Sequence, residues 1–210
     1  MNSETKTLST MDYLDRANLF LEKKEVHSFM ENIGSAMALA QNNKKDLANT
    51  TLLKSKGLII FNQHKMALKS IAEALKYNES FVEKFRLLKY QGIAWGYLGH
   101  LHKAKNQFLQ LEKDMQEPTL LIEVYNNLVW IYLSLYQSEA KKEDYLHATK
   151  KYLDSTKDNF FLLTDYQKQI YYTNSGQYYS LLKEFDKAIS NLEKLFPILM
   201  NIICQKFIII

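Results

Sequence analysis

The chain has 210 residues, 47% of them hydrophobic and 24% charged, which suits a globular protein with a continuous core and excludes a disordered one. Lysine and arginine number 27 against 23 acidic residues, a net charge of +4 spread along the chain, so no basic face of the kind that neutralises nucleic-acid phosphates is expected. Six glycines and two prolines are too few for the turns of a β-sandwich or barrel, and the glycines are scattered, whereas a phosphate-cradling loop needs them clustered.

Long helices remain. Residues 1–9 are polar and predict a flexible start with no secretory signal. Helical hairpins follow. In the first, Ala17, Phe20 and Lys24 lead over a twelve-residue step from Ala17 to Phe29, followed by Ile33 and Ala36. The second repeats this with Ser55, Leu58 and Asn62, then Ala67, Ile71 and Ala74. Asn62 stands at the reversal, where asparagine tolerates the left-handed conformation best after glycine. The third has apolar residues three and four apart from Gly92 through Trp95 to Leu98, a break at Gly99, and Ala104, Phe108 and Leu111 beyond it.

The fourth hairpin is looser. Leu128, Val129, Tyr132 and Leu135 mark its first helix and Ala148, Tyr152 and Ser155 its second, with about seven extra residues expected to lengthen the connection at Gln137 to Tyr145. The fifth returns to the twelve-residue step, from Gly176 with Tyr179 and Leu182 to Ala188, Leu192 and Leu195. The second-helix landmarks Phe29, Ala67, Ala104, Ala148 and Ala188 are 38, 37, 44 and 40 residues apart. Five hairpins of about forty residues therefore fill residues 10–197.

Gly92, Trp95, Gly99, Ala104 and Phe108, and again Gly176, Tyr179, Ala188 and Leu192, resemble the tetratricopeptide repeat pattern. The repeats are longer than the usual 34 residues and lack the customary proline after the second helix, except at Pro118 and Pro197. In this they resemble the helical domains of peptide-pheromone regulators of the Rap and PlcR-like type, without room for the DNA-binding helices that PlcR-like members carry in front. The resemblance implies an all-α, right-handed superhelical solenoid of about five hairpins, the first helix of each lining a concave wall.

On that phase, the residues just off the core stripe face the groove: Asn18; Arg86, Lys89, Tyr90 and Tyr97; Asn126, Asn127 and Trp130; and Asn174 and Gln177. Carboxamides can grip a peptide main chain with both donor and acceptor, the aromatics offer anchor area, and Arg86 and Lys89 suit a terminal carboxylate. Asn126-Asn127 is the sharpest feature, because paired amides in an apolar helix are unfavourable unless satisfied. The carboxylate clamp of chaperone-binding repeats is absent: Leu14 and Leu53 stand where it needs polar or basic residues.

Catalysis is not expected. The five histidines, among them His64, His100 and His102 near hairpin turns, have no carboxylate or cysteine at ligand spacing, and no nucleophile elbow is present. No cofactor or metal follows from these residues. Cys204 stands alone, excluding a disulfide framework and pointing to a reducing, cytoplasmic setting. Residues 198–210 are almost wholly apolar, which predicts a buried cap or an interface segment in place of a polar-faced terminal helix. The expected function is a non-catalytic module binding a peptide or protein segment, a signalling or regulatory receptor or adaptor. The alternative is a structural protein that oligomerises, as a homodimer, through the apolar end. Neither nucleic acid nor a membrane span enters either reading.

Overall fold

The structure, a computed structural model, describes residues 8–140 and 142–199. Most of the expected flexible start, and residues 200–210 of the apolar end, lie outside the described residues. Among those described, the chain is helical throughout, with no strand. Its elements are α1 (Thr10–Glu22), α2 (Val26–Ala40), α3 (Lys44–Ile60), α4 (His64–Tyr77), α5 (Phe81–Tyr97), α6 (Leu101–Asp114), α7 (Pro118–Ser138), α8 (Glu143–Asp158), α9 (Asp165–Leu181) and α10 (Phe185–Glu193). A single 3-10 turn, Phe160–Leu162, precedes α9. Two compact units divide between Ala104 and Lys105.

In the first unit α1 packs with α2 and α3 with α4; α3 also touches α1 and α2, and α5 touches α3 and α4. In the second, α7 packs with α8 and α9 with α10, and α9 lies against both α7 and α8. Helices adjacent in sequence are thus neighbours in space, as short connections dictate.

Four connections share one backbone geometry. Lys24, Asn62, Gly99 and Lys183 each have positive φ, at 58°, 58°, 81° and 62°. Each donates its N–H back to the outgoing helix, to the carbonyls of Leu21, Ile59, Gly96 and Ser180. The following residue, Glu25, Gln63, His100 or Glu184, donates to the carbonyl of Phe20, Leu58, Trp95 or Tyr179 at 2.8–2.9 Å. This is the Schellman pattern of helix termination. The same residue's carbonyl then accepts from Phe29, Ala67, Ala104 or Ala188, opening the next helix. One residue closes one helix with its N–H and starts another with its carbonyl.

Side-chain capping divides accordingly. α2, α4 and α10, which start from these turns, have no side-chain cap. Of the helices that open a pair, α1, α3, α7 and α9 draw on side chains instead, whereas α5 has no side-chain cap. Ser9 and Thr164 form capping boxes with Asp12 and Gln167, Asn43 accepts from two backbone N–H groups, and Glu117 does the same ahead of Pro118.

The fourth pair corrects the sequence reading. Its extra residues are helical: α7 runs for 21 residues where α3, α5 and α9 each have 17. The connection is only Glu139 to Lys142, with Ala140 at φ 43°. Three residues into α8, the place that Ala67 holds in α4, stands Leu146, which is buried, while the expected landmark Ala148 is half-buried.

The core follows the small-residue positions. Phe29, Ile33 and Ala36, then Ala67, Ile71 and Ala74, then Ala104, Phe108 and Leu111 are all buried. Phe29 is fully covered because α3 offers it a glycine: a Cβ on Gly57 would strike the ring.

Substituting Lys24 or Lys183 by glycine should raise stability by roughly 0.5 kcal/mol each, since relief of left-handed strain outweighs the added freedom of the unfolded chain. Gly99→Ala, with open space around it but φ at 81°, should lower stability by about 1 kcal/mol. Urea midpoints that failed to show this reversal of sign would refute the shared-turn account. Gly57→Ala should lower stability by about 1–3 kcal/mol by overpacking Phe29, and Phe29→Leu in the same chain should recover part of the loss, both read by urea titration.

Candidate functional site

The ten residues expected to line a groove fall into two sets, one in each unit. In the first unit Asn18 is exposed on α1. On α5, Arg86, Tyr90 and Tyr97 share a face at i, i+4 and i+11, and Lys89 lies beside it. Arg86 is exposed; Tyr90 is half-buried against the cluster of Leu58, Ala67, Ile71, Ala74 and Leu87, and Lys89 holds its ammonium 5.1 Å from the Tyr90 ring centre. Tyr97 is 61% exposed, yet its ring is held flat on His64, centroids 4.6 Å apart and planes 1° from parallel. The start of α4 thereby fixes the end of α5. Burial pushes the His64 imidazole below its ordinary range, and its Nδ1 is covered without a hydrogen-bond partner among the described residues.

In the second unit α7 carries Asn126, Asn127 and Trp130, and α9 carries Asn174 and Gln177. The structure brings Asn126 and Asn174 together: Asn174 Nδ2 donates to the Asn126 main-chain carbonyl at 3.2 Å. Both are buried, differing from the expectation of an open wall, because α9 packs directly on this stretch of α7. Asn126 is 4% exposed, and neither its Nδ2 nor its Oδ1 has a partner among the described residues. Asn127 resolves its own polarity by turning Nδ2 back onto the Glu123 carbonyl at 2.6 Å. Trp130 and Gln177 are half-buried.

Sequence reasoning missed a second polar feature. Tyr125 and Tyr132 on α7, and Tyr145 and Tyr152 on α8, are each seven residues apart and interleave across the antiparallel pair. Ring centroids are 5.5 Å apart for Tyr125–Tyr152, 6.0 Å for Tyr132–Tyr152 and 6.1 Å for Tyr132–Tyr145. Tyr152 donates its hydroxyl to Glu112 at 2.8 Å, and Tyr145 donates to Glu139 at 2.7 Å. Burial first, and then the Glu112 carboxylate, raises the Tyr152 hydroxyl far above its ordinary pKa, so it stays a neutral donor. The seven-residue tyrosine spacing on two successive helices was the available signal. The cluster locks α8 onto α7.

Among the described residues no group of three or more histidine, cysteine or acidic side chains is placed to hold a metal ion, and no helix is long and apolar enough to cross a membrane. No family profile matches the chain, and no curated protein matches it. Among solved structures, the crystal structure of BtubC (BKLC) from P. vanneervenii is similar, with a TM-score of 0.66 and 15% sequence identity over 91% of this chain and 80% of that one. At that identity the likeness supports the helical fold and nothing finer.

Because the folded-state pKa of His64 lies below 6.5, the unfolded chain binds its proton first. The stability it contributes is complete above about pH 6.5 and is lost as pH falls through the folded value. His64→Phe, which keeps a ring on Tyr97, should flatten the acid limb of a stability–pH profile relative to the native chain. Superimposable profiles would count against a buried neutral imidazole.

Proposed function

We propose that this protein is a non-catalytic binding module of the tetratricopeptide type, which takes up a peptide or protein segment as a regulatory receptor or adaptor in the cytoplasm. Support comes from the helices packed in successive pairs and from a turn repeated four times, the arrangement from which such modules build binding walls. One observation carries the ligand class, the unsatisfied carboxamide of Asn126.

A buried polar group without a partner destabilises a fold by about 1–3 kcal/mol. The Asn126 side chain supplies one donor pair and one acceptor, which is the complement of a peptide unit. Asn174 holds the α7 main chain behind it, so the carboxamide is positioned from the rear. A main chain laid beside Trp130 and Gln177 supplies the missing partners, directly or through a bridging water, as α9 parts from α7 at the covered Asn126 carboxamide. In the first unit Tyr97 presents a ring already immobilised by His64, which lowers the ordering cost of an aromatic anchor, and Arg86 offers a cation for a carboxylate.

Selection from a displayed library of unconstrained decapeptides tests this reading. Peptides of micromolar affinity should emerge, and Asn126→Ala should weaken them at least about tenfold, the size of a lost buried hydrogen bond. Its urea midpoint should stay near that of the native chain, since Asn126 makes no side-chain bond to lose. No enriched peptide, or peptides indifferent to Asn126→Ala, would remove the support.

A further inference from the structure

α10 differs from the other second helices. Ala188 is buried like Ala67 and Ala104, but Leu192, at the position of Ile71 and Phe108, is 43% exposed. Phe185, Ile189, Leu192, Phe196 and Leu199 are spaced four, three, four and three residues apart and are all exposed, Phe185 and Phe196 by 60% and 68%. That alternation is the seam along which one helix meets another. The helical course resumes at 195–199 after a break at Lys194, where Pro197 has no N–H for the Glu193 carbonyl. So the seam continues past α10 to Leu199.

Other pairs show what is missing. α3 lies against α1 and α2, α5 against α3 and α4, and α9 against α7 and α8. No described helix does this for α9 and α10. We propose that the α10 seam is the docking face for residues 200–210 of this same chain.

Chemistry, reach and concentration favour that occupant. Met200, Ile202, Ile203, Phe207, Ile208, Ile209 and Ile210 need burial as much as the seam does, and a fully covered side chain of this size gains about 1.5–3 kcal/mol. The acids flanking the seam, Asp186 and Glu193, match the single cation of the segment, Lys206. Eleven residues span about 16 Å as a helix or about 36 Å extended, and the seam from Phe185 to Leu199 is about 21 Å long, so the return is open to an extended or mixed course. Attachment at Leu199 gives the segment an effective concentration in the millimolar range, about a thousandfold above a second copy at micromolar concentration. This inference does not depend on peptide binding.

Cys204, the chain's sole cysteine, reports the outcome in the full-length protein. Its reaction with a disulfide reagent should be at least about tenfold slower in native buffer than in urea, as a covered site requires, and equally slow across a hundredfold dilution. Ile189→Asp with Phe196→Asp should bring the rate close to the unfolded value while the helical circular dichroism is kept. Three results overturn the proposal: native Cys204 reacting at the unfolded rate, protection that fades on dilution as light scattering reports a dimer giving way to monomer, or protection indifferent to the two aspartates. Should the double variant unfold, the native dilution series alone still decides.

Discussion

Four of the helix connections depend on one residue shared between two helices. At Glu25, Gln63, His100 and Glu184 the N–H terminates one helix and the carbonyl initiates the next, with the preceding residue left-handed. A helix end leaves four main-chain groups without intrahelical partners, and a reversal this short has little room for water or side chains to satisfy them. Sharing the residue satisfies two of them at once and leaves a fixed number of residues between the helices. The register of each pair is therefore set by main-chain bonding, before side-chain packing contributes.

That register explains which side chains became small. Five residues after each left-handed position comes Phe29, Ala67, Ala104 or Ala188, where the second helix passes close to its partner. Alanine meets the constraint directly. Phe29 is the exception, and its large ring is accommodated by the next pair, where Gly57 on α3 lacks the Cβ that would strike it. α7 and α8 lack the shared turn and meet differently. A longer α7 and four interleaved tyrosines hold them, with Glu112 and Glu139 accepting the hydroxyls of Tyr152 and Tyr145. Aromatic pairs of this kind contribute about 0.5–1.5 kcal/mol each beyond their burial, so side-chain chemistry performs in this pair what backbone geometry performs in the others.

Legibility in the sequence tracks this difference. Where the turn is shared, spacing alone locates the helices, because the main chain enforces a constant twelve-residue step; Gly99 and Asn62 advertise the left-handed position through their residue type. Lys24 and Lys183 do not, and only the repeat phase points to them. In the fourth pair Leu146 occupies the close-approach position in place of alanine, so a search for small residues settles two residues too late, on Ala148. The candidate site was legible as residue types and much less as placement. Asn126 and Asn127 are adjacent in sequence, but a helix turns about 100° between them. One enters the α7–α9 interface and the other folds back on Glu123.

The contrast between the two buried polar systems of the second unit bears on function. The tyrosine hydroxyls of α8 end on carboxylates, so their polarity is settled inside the fold and they serve as structure. Asn126 is as deeply placed, and its carboxamide meets nothing among the described residues, although Asn174 close by bonds to its main chain. Leucine, nearly isosteric, would serve packing there without the desolvation penalty. The Asn126 carboxamide, by contrast, has neither its donors nor its acceptor satisfied among the described residues, and it lies between two packed helices. A partner able both to donate and to accept is what that position lacks.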